Sequence, residues 1–319
     1  MAKRFILNKK SPVKQAVDQF LSSLAGGKGY SSLTVRNYRH YLKRFSVWME
    51  ENFHLSKLCD IRPNLIPKYQ RFLSRLTSEN QEKLKKTTQA YHLIALRSFL
   101  KYLFEAGVKI DCHPQDVKLP RTNKQAVRFL TIKQMEKLLS SIPAVKELDL
   151  RNRAILETIF STGLRVSELV KLNRDQVDLK KRQFGVAGKG AQPRVVFLSE
   201  RAVKWLERYL HCRQDNFRPL FIRYSGKIEP ENEGEKMRLT VRSVQRAVKK
   251  YVKKSKIPLT ATPHTLRHTF AADLLSHGAD LESVKDMLGH KNIATTKAYQ
   301  KTAQSQLRKI YEKFHSGNE

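Results

Sequence analysis

Apolar residues recur every three or four positions along most of this chain, and one stretch, QFGVAGKGAQPRVVFL (183–198), breaks that rhythm. A period of three to four belongs to helices that bury one face, whereas two β-prone runs flanking Gly-Lys-Gly describe a hairpin. The pattern therefore predicts a mainly α protein in which a second, mixed α/β part carries a small antiparallel sheet, the hairpin forming the edge of three strands.

The first part is all helical. In SPVKQAVDQFLSSLA, Val13, Val17, Phe20, Leu21 and Leu24 share a face, and Pro12 suits the first turn, where a missing N–H costs nothing. SSLTVRNYRHYLKRFSVWMEEN follows with Val35, Tyr38, Leu42, Phe45 and Trp48 or Met49 as its stripe, and Arg36, Arg39, His40, Lys43 and Arg44 on its other faces. RPNLIPKYQRFLSRLT holds a third helix. KKTTQAYHLIALRSFLKYLFEAG holds a fourth, expected to bury Tyr91, Ile94, Leu96, Leu100, Leu103 and Phe104 and to end at Gly107. Residues 12–107 thus form one helical domain. Residues 108–128, with two prolines and no sustained period, are expected to be an interdomain linker, and 129–319 a second domain ending in a C-terminal helix. In the second domain Thr131 and Gln134 have capping-box spacing. A helix is expected to break at Gly163, and another to start at Thr262-Pro263. Residues 223–237 have the composition of a surface insertion.

Charge narrows the partner. Lys and Arg number 62 against 29 Asp and Glu, a net +33 at pH 7, while 40% of residues are apolar. A foldable chain with that imbalance suits a polyanion, and duplex nucleic acid, which releases counterions on binding, leads over a membrane surface or an acidic protein. Cys59, Cys112 and Cys212 are scattered and odd in number, as in a reducing compartment. No run approaches the ~20 apolar residues of a membrane span, nor a signal peptide. A cytoplasmic, nucleoid-associated protein is expected.

TPHTLRHTF (262–270) crowds two histidines and an arginine together. His264 and His268, four apart, lack the glutamate of a zinc-protease motif, since Thr265 stands there. His264 and Arg267 are neighbours on the first turn of a helix, where unpaired N–H groups attract anions and a guanidinium fork matches phosphate. Singly, each candidate also has an ordinary reading. Arg267 pairs with a carboxylate, His264 closes a helix end, and Arg165 bridges Glu168. Lys189 is solvated at a hairpin tip, His290 merely follows a C-cap glycine, and Tyr299 belongs to a core or an interface. Together, two arginines, a lysine, two histidines and a late tyrosine make a kit for phosphodiester chemistry.

Over about residues 13–311 the chain resembles the tyrosine recombinases, the family of phage integrases and Xer-type recombinases, through STGLRVSELVKL, GKGAQPRVVFL, TPHTLRHTFAADLLSHGADLESVKDMLGH and IATTKAY. The resemblance implies an N-terminal core-DNA-binding domain and a C-terminal catalytic domain that close on duplex DNA carrying specific recombination sites. It also implies four protomers per synapse, as a homo-tetramer or paired with a related recombinase, and a regulatory protein as a further partner. Tyr299 is then the nucleophile, releasing a 5′-hydroxyl and forming a 3′-phosphotyrosine. Arg165 and Arg267 bracket the nonbridging oxygens, His264 relays the proton, Lys189 protonates the leaving oxygen, and His290 hydrogen-bonds the phosphate. Glu168 orients Arg165. No cofactor or metal is called for, because fixed cations supply the field. Chromosome-dimer resolution is the expected task. An integrase of a phage or mobile element, a type IB topoisomerase, a noncatalytic DNA-binding protein and a metallohydrolase on His264 and His268 are the alternatives. Residues 223–237 and the stretch after Tyr299 depart from compact relatives.

Overall fold

The computed structural model describes residues 6–27, 29–77, 81–121, 128–186 and 194–289. The chain divides into two compact units, Met1–Lys124 and Gln125–Glu319.

The first unit packs α1 (Val13–Gly27), α2 (Ser32–Phe53), α3 (Leu65–Arg75) and α4 (Lys86–Glu105) around one apolar core. Ser31 caps α2, its Oγ accepting the Thr34 N–H at 3.1 Å, and so satisfies a donor that the helix start leaves unpaired. The stripes of α1 and α2 are buried largely as their spacing predicts, with both Trp48 and Met49 inside. In α4 the phase differs. Leu96, Leu100 and Leu103 are buried, but Tyr91 is 56% and Phe104 42% exposed, while His92, Leu93, Ala95 and Phe99 are inside. This helix is apolar on most of its circumference, so its neighbours, not its own period, set which face turns inward. The stretch expected to link the domains begins inside this unit: Val108, Ile110, Cys112 and Val117 join its core. Gln70 Nε2 donates to the Lys118 carbonyl at 2.6 Å and Arg97 donates to the Val117 carbonyl.

The second unit is built on α6 (Glu147–Thr162), a helix buried from Leu150 to Ile159 and packed against α8 (Glu200–His211) and α11 (Pro263–Ser276). Glu157, almost fully buried, is neutralised by Arg153 Nη2 at 2.9 Å and Arg201 Nε at 2.8 Å. Around this axis lie α5 (Ile132–Ser140), α7 (Val166–Leu169), α9 (Glu231–Gly234), α10 (Val241–Lys254) and α12 (Leu281–Leu288). The α5 capping box is in place, Thr131 N–H donating to Gln134 Oε1 at 2.9 Å and Gln134 N–H to Thr131 Oγ1 at 3.2 Å. β1 (Gln183–Val186) and β2 (Arg194–Phe197) pair antiparallel, Gln183 opposite Phe197 and Val186 opposite Arg194. Among the described residues the sheet has these two strands, not three. Phe184, Val186 and Val196 face the core and Val195 and Phe197 face out, the alternation that a pleated strand imposes.

The glutamates of the 223–237 insertion are paired with basic residues inside it and just beyond its two ends. Glu229 meets Arg223 at 2.9 Å and Lys236 at 3.1 Å, and Glu231 meets Lys236 at 2.8 Å. Glu233 meets Arg218 at 3.3 Å and Glu235 meets Arg238 at 2.6 Å.

Candidate active site

The site begins where α6 stops. Gly163 closes that helix in the left-handed region at φ +60°, and a Cβ there would lie 2.8 Å from both Phe270 Cε1 and Leu288 Cδ2. Only glycine satisfies the turn and the close approach together. The reversal delivers Arg165 to the N-cap of α7. Three residues on, Glu168 accepts the Arg165 backbone N–H at 2.8 Å and the Arg165 Nη1 at 3.0 Å.

α11 brings the second arginine. Thr262 caps it, accepting the Thr265 N–H at 3.2 Å, and Pro263 occupies the first turn. Thr269 Oγ1 accepts the Leu130 N–H at 3.0 Å and donates to the Thr265 carbonyl at 3.0 Å, which fixes α11 to the start of the unit. Arg267 projects inward and is 1% exposed. Its Nη1 donates to the Gly163 carbonyl at 2.6 Å and its Nη2 to the Leu288 carbonyl at 2.8 Å.

These contacts share a destination. Arg194 Nε donates to the Met287 carbonyl at 3.0 Å, Arg267 Nη2 to Leu288 at 2.8 Å, and Arg165 Nη2 to Gly289 at 3.2 Å. Three successive carbonyls at the C-terminal end of α12, which a helix leaves unpaired and at negative potential, are each held by an arginine. Arg165 and Arg267, distant in sequence, therefore stand side by side. Arg165 remains 38% exposed at its side chain, and a guanidinium has five N–H donors, so it retains donors for an anion.

His264 lies in the field of both guanidinium groups. Partial burial of the ring, then the charges of Arg267 and Arg165, lower its pKa below the ordinary imidazole value. Its neutral form, able to accept a proton, is thereby favoured. His268 packs edge-on against it, ring centroids 4.1 Å apart. The described residues hold no group of three or more side chains able to ligate a metal ion. At Glu168 burial pushes the carboxyl up. Hydrogen bonds from the Arg194 guanidinium and the Arg165 backbone, with both positive charges, outweigh that and hold it below the ordinary carboxylate range.

Of the residues expected in the site, Arg165, Glu168, His264 and Arg267 are brought together. Lys189, His290 and Tyr299 lie outside the described residues. In sequence, 187–193 lies between the paired residues Val186 and Arg194, and residue 290 follows Gly289, whose carbonyl Arg165 holds. Arg194 is the residue that sequence reasoning missed. Its Nη1 and Nη2 reach Glu168 Oε1 and Oε2 at 3.2 and 2.9 Å. It lies in GKGAQPRVVFL, where the resemblance singles out Lys189, and spacing alone does not set it apart among 62 basic side chains.

A cluster of fixed cations around a buried carboxylate, with a histidine of lowered pKa beside it, suits an anionic group such as phosphate. Residues 128–306 match the phage integrase family, and residues 17–107 match the phage integrase N-terminal SAM-like domain. The tyrosine recombinase XerD of Pseudomonas putida is 36% identical over 300 residues, 94% of this chain and 96% of that protein. The tyrosine recombinase XerC of Syntrophus aciditrophicus is 32% identical over 300 residues, 90% and 93% of the two chains. The crystal structure of the XerH site-specific recombinase bound to a palindromic difH substrate, in a post-cleavage complex, shares the fold. Its TM-score is 0.68 at 19% identity, over 93% of this chain and 84% of that one.

The chain belongs to the phage integrase family of tyrosine recombinases. Its activity is that of the class, site-specific DNA recombination through a phosphotyrosine intermediate.

Proposed function

We propose that this chain performs its strand transfer with Tyr299 as nucleophile and serves as an Xer-type recombinase that resolves chromosome dimers. One observation supports the roles given to Arg165, Arg267 and His264: the two arginines hold consecutive carbonyls at the end of α12, at Gly289 and Leu288, with His264 within their field. The Tyr299 oxygen attacks the scissile phosphorus, the bond to the 5′-oxygen breaks, and a 3′-phosphotyrosine forms. A phenol ionises near pH ~10, so the attack needs an acceptor and positive charge. Neutral His264 takes or relays the phenolic proton, and Lys189 gives one to the departing 5′-oxygen. Arg165, Arg267 and His290 stabilise the charge that builds on the nonbridging oxygens. The phosphodiester energy is kept in the adduct, and a 5′-hydroxyl of the partner strand reverses the step. Four protomers on two sites, identical or paired with a related recombinase, exchange strands in the nucleoid. The Xer reading is supported by curated relatives of that name that span nearly the whole chain.

The test uses DNA that the purified chain selects from its fragmented host genome, rebuilt as a nicked suicide substrate. The wild type accumulates a covalent adduct, and Tyr299→Phe binds the DNA but forms none. An adduct on the variant would remove Tyr299 from the role. Selected fragments from the replication terminus support dimer resolution, and fragments from element ends contradict it.

A further inference from the structure

Arg194 is the last paired residue of β2, opposite Val186. It spans two structures that hold the candidate site. Its Nη1 and Nη2 form a two-pronged contact with Glu168, and its Nε reaches the Met287 carbonyl of α12. Both side chains of the pair are nearly sealed from water, 8% and 7% exposed. The face of the guanidinium lies against Gly289, where a Cβ would sit 2.9 Å from Nη1 and 3.2 Å from Cζ. Glu168 in turn holds Arg165 by backbone and side chain. Arg165 reaches Oε2 through its backbone N–H and Oε1 through Nη1, and the Arg194 fork adds a second donor to each oxygen. The four donors together hold the plane of the carboxylate, and with it the Arg165 guanidinium.

We infer that Arg194 is a positioning residue for strand cleavage, acting through Glu168 to fix the Arg165 guanidinium. The inference rests on the proposed role of Arg165 at the phosphate. Arg194 itself need not touch DNA. Among the described residues, the charged groups that face Glu168 are Arg165 from its own turn and Arg194 from β2. A lysine at 194 restores a point charge but not the fork, so it restores only part of the function.

The experiment compares wild type, Arg194→Gln, Arg194→Lys, Glu168→Gln and the Glu168→Gln/Arg194→Gln double variant. All are taken as full-length protein on the suicide substrate under single-turnover conditions. Arg194→Gln is expected to bind DNA as tightly as the wild type and to cleave on the order of 100-fold more slowly, the scale of a misplaced catalytic group. Added to Glu168→Gln, it slows cleavage by no more than about 2-fold further, because both changes break one linkage. A second readout needs no activity. Carbon-13 NMR of the Glu168 carboxyl, assigned through Glu168→Gln, should show its titration displaced to higher pH in Arg194→Gln, since burial is then opposed by Arg165 alone. Wild-type cleavage by Arg194→Gln, independent multiplication of the two defects, or an unmoved Glu168 titration would each overturn the inference. Failure of the wild type to form any adduct would instead strike the proposed function, and the carboxyl titration would still decide on Arg194.

Discussion

Replacing Gly163 by alanine separates two costs that the structure places at one residue. Gly163 has φ +60°, where an L side chain costs about 1–2 kcal/mol. The new Cβ would also stand 2.8 Å from Leu288 Cδ2 and from Phe270 Cε1, and forcing atoms into a packed site costs about 1–3 kcal/mol. Gly163→Ala should therefore destabilise the second unit by about 2–5 kcal/mol, a large share of the ~5–15 kcal/mol of a typical domain. Gly278 supplies the control in the same unit: its φ is +91° and nothing lies within 4 Å of its Cβ position, so Gly278→Ala carries the backbone cost alone. Urea unfolding followed by Trp205 fluorescence in a Trp48→Phe background reports on this unit, because the chain's two tryptophans fall one in each. The Gly163 variant should unfold at a distinctly lower midpoint than the Gly278 variant. It should also cleave DNA more slowly at temperatures where it remains folded, since Phe270 and Arg267 share α11 and the Gly163 carbonyl holds Arg267. Equal midpoints would refute the reasoning, because the close packing of α11 and α12 over the end of α6 would then contribute nothing.

In the first unit, His92 is buried, accepts an Arg44 N–H at Nε2 (3.2 Å) and lies 3.4 Å from the Tyr69 hydroxyl at Nδ1; burial, then Arg44 and His40, lower its pKa to about 3. A lowered imidazole pKa stabilises above the unfolded value near ~6.5 and loses that contribution as pH falls toward 3. Trp48-reported stability should thus drop by up to about 1.4 kcal/mol per pH unit below 6, and His92→Gln should flatten the slope. Lys189→Ala should slow cleavage of ordinary DNA and recover on a 5′-bridging phosphorothioate, whose leaving group needs no proton; equal slowing on both would remove Lys189 as general acid. Lys249 and Lys253 are exposed on one face of α10 and have no ion pair among the described residues. Replacing both by alanine should reduce the slope of log affinity against log salt by about 2, and an unchanged slope would exclude them from phosphate contact.

The parts of the fold that sequence makes readable are those decided locally. Thr131 with Gln134, Thr262 with Pro263, and Gly163 at a helix end each act through their own turn, and α1 and α2 carry a polar face that leaves one orientation. The phase of α4 is not local, because Tyr91 and Phe104 are as apolar as the residues that displace them inward. Val108, Ile110 and Cys112 alternate as an edge of extended chain would, yet only the surrounding helices make their burial worthwhile. In the site, Arg165 with Glu168 is a contact between near neighbours, and His264 with Arg267 falls on one turn. Arg194 with Glu168 crosses from a strand to a helix. The convergence of three arginines on the end of α12 involves backbone carbonyls, which no side-chain pattern advertises.

The central claim is that these cations serve a tyrosine that becomes joined to DNA. It is tested most directly by trapping the wild-type adduct, digesting protein and DNA, and locating the nucleotide-bearing residue by tandem mass spectrometry. The account predicts a single modified peptide, with a 3′-phosphate on the oxygen of Tyr299. Attachment at another residue, or through a 5′-phosphate, would contradict it.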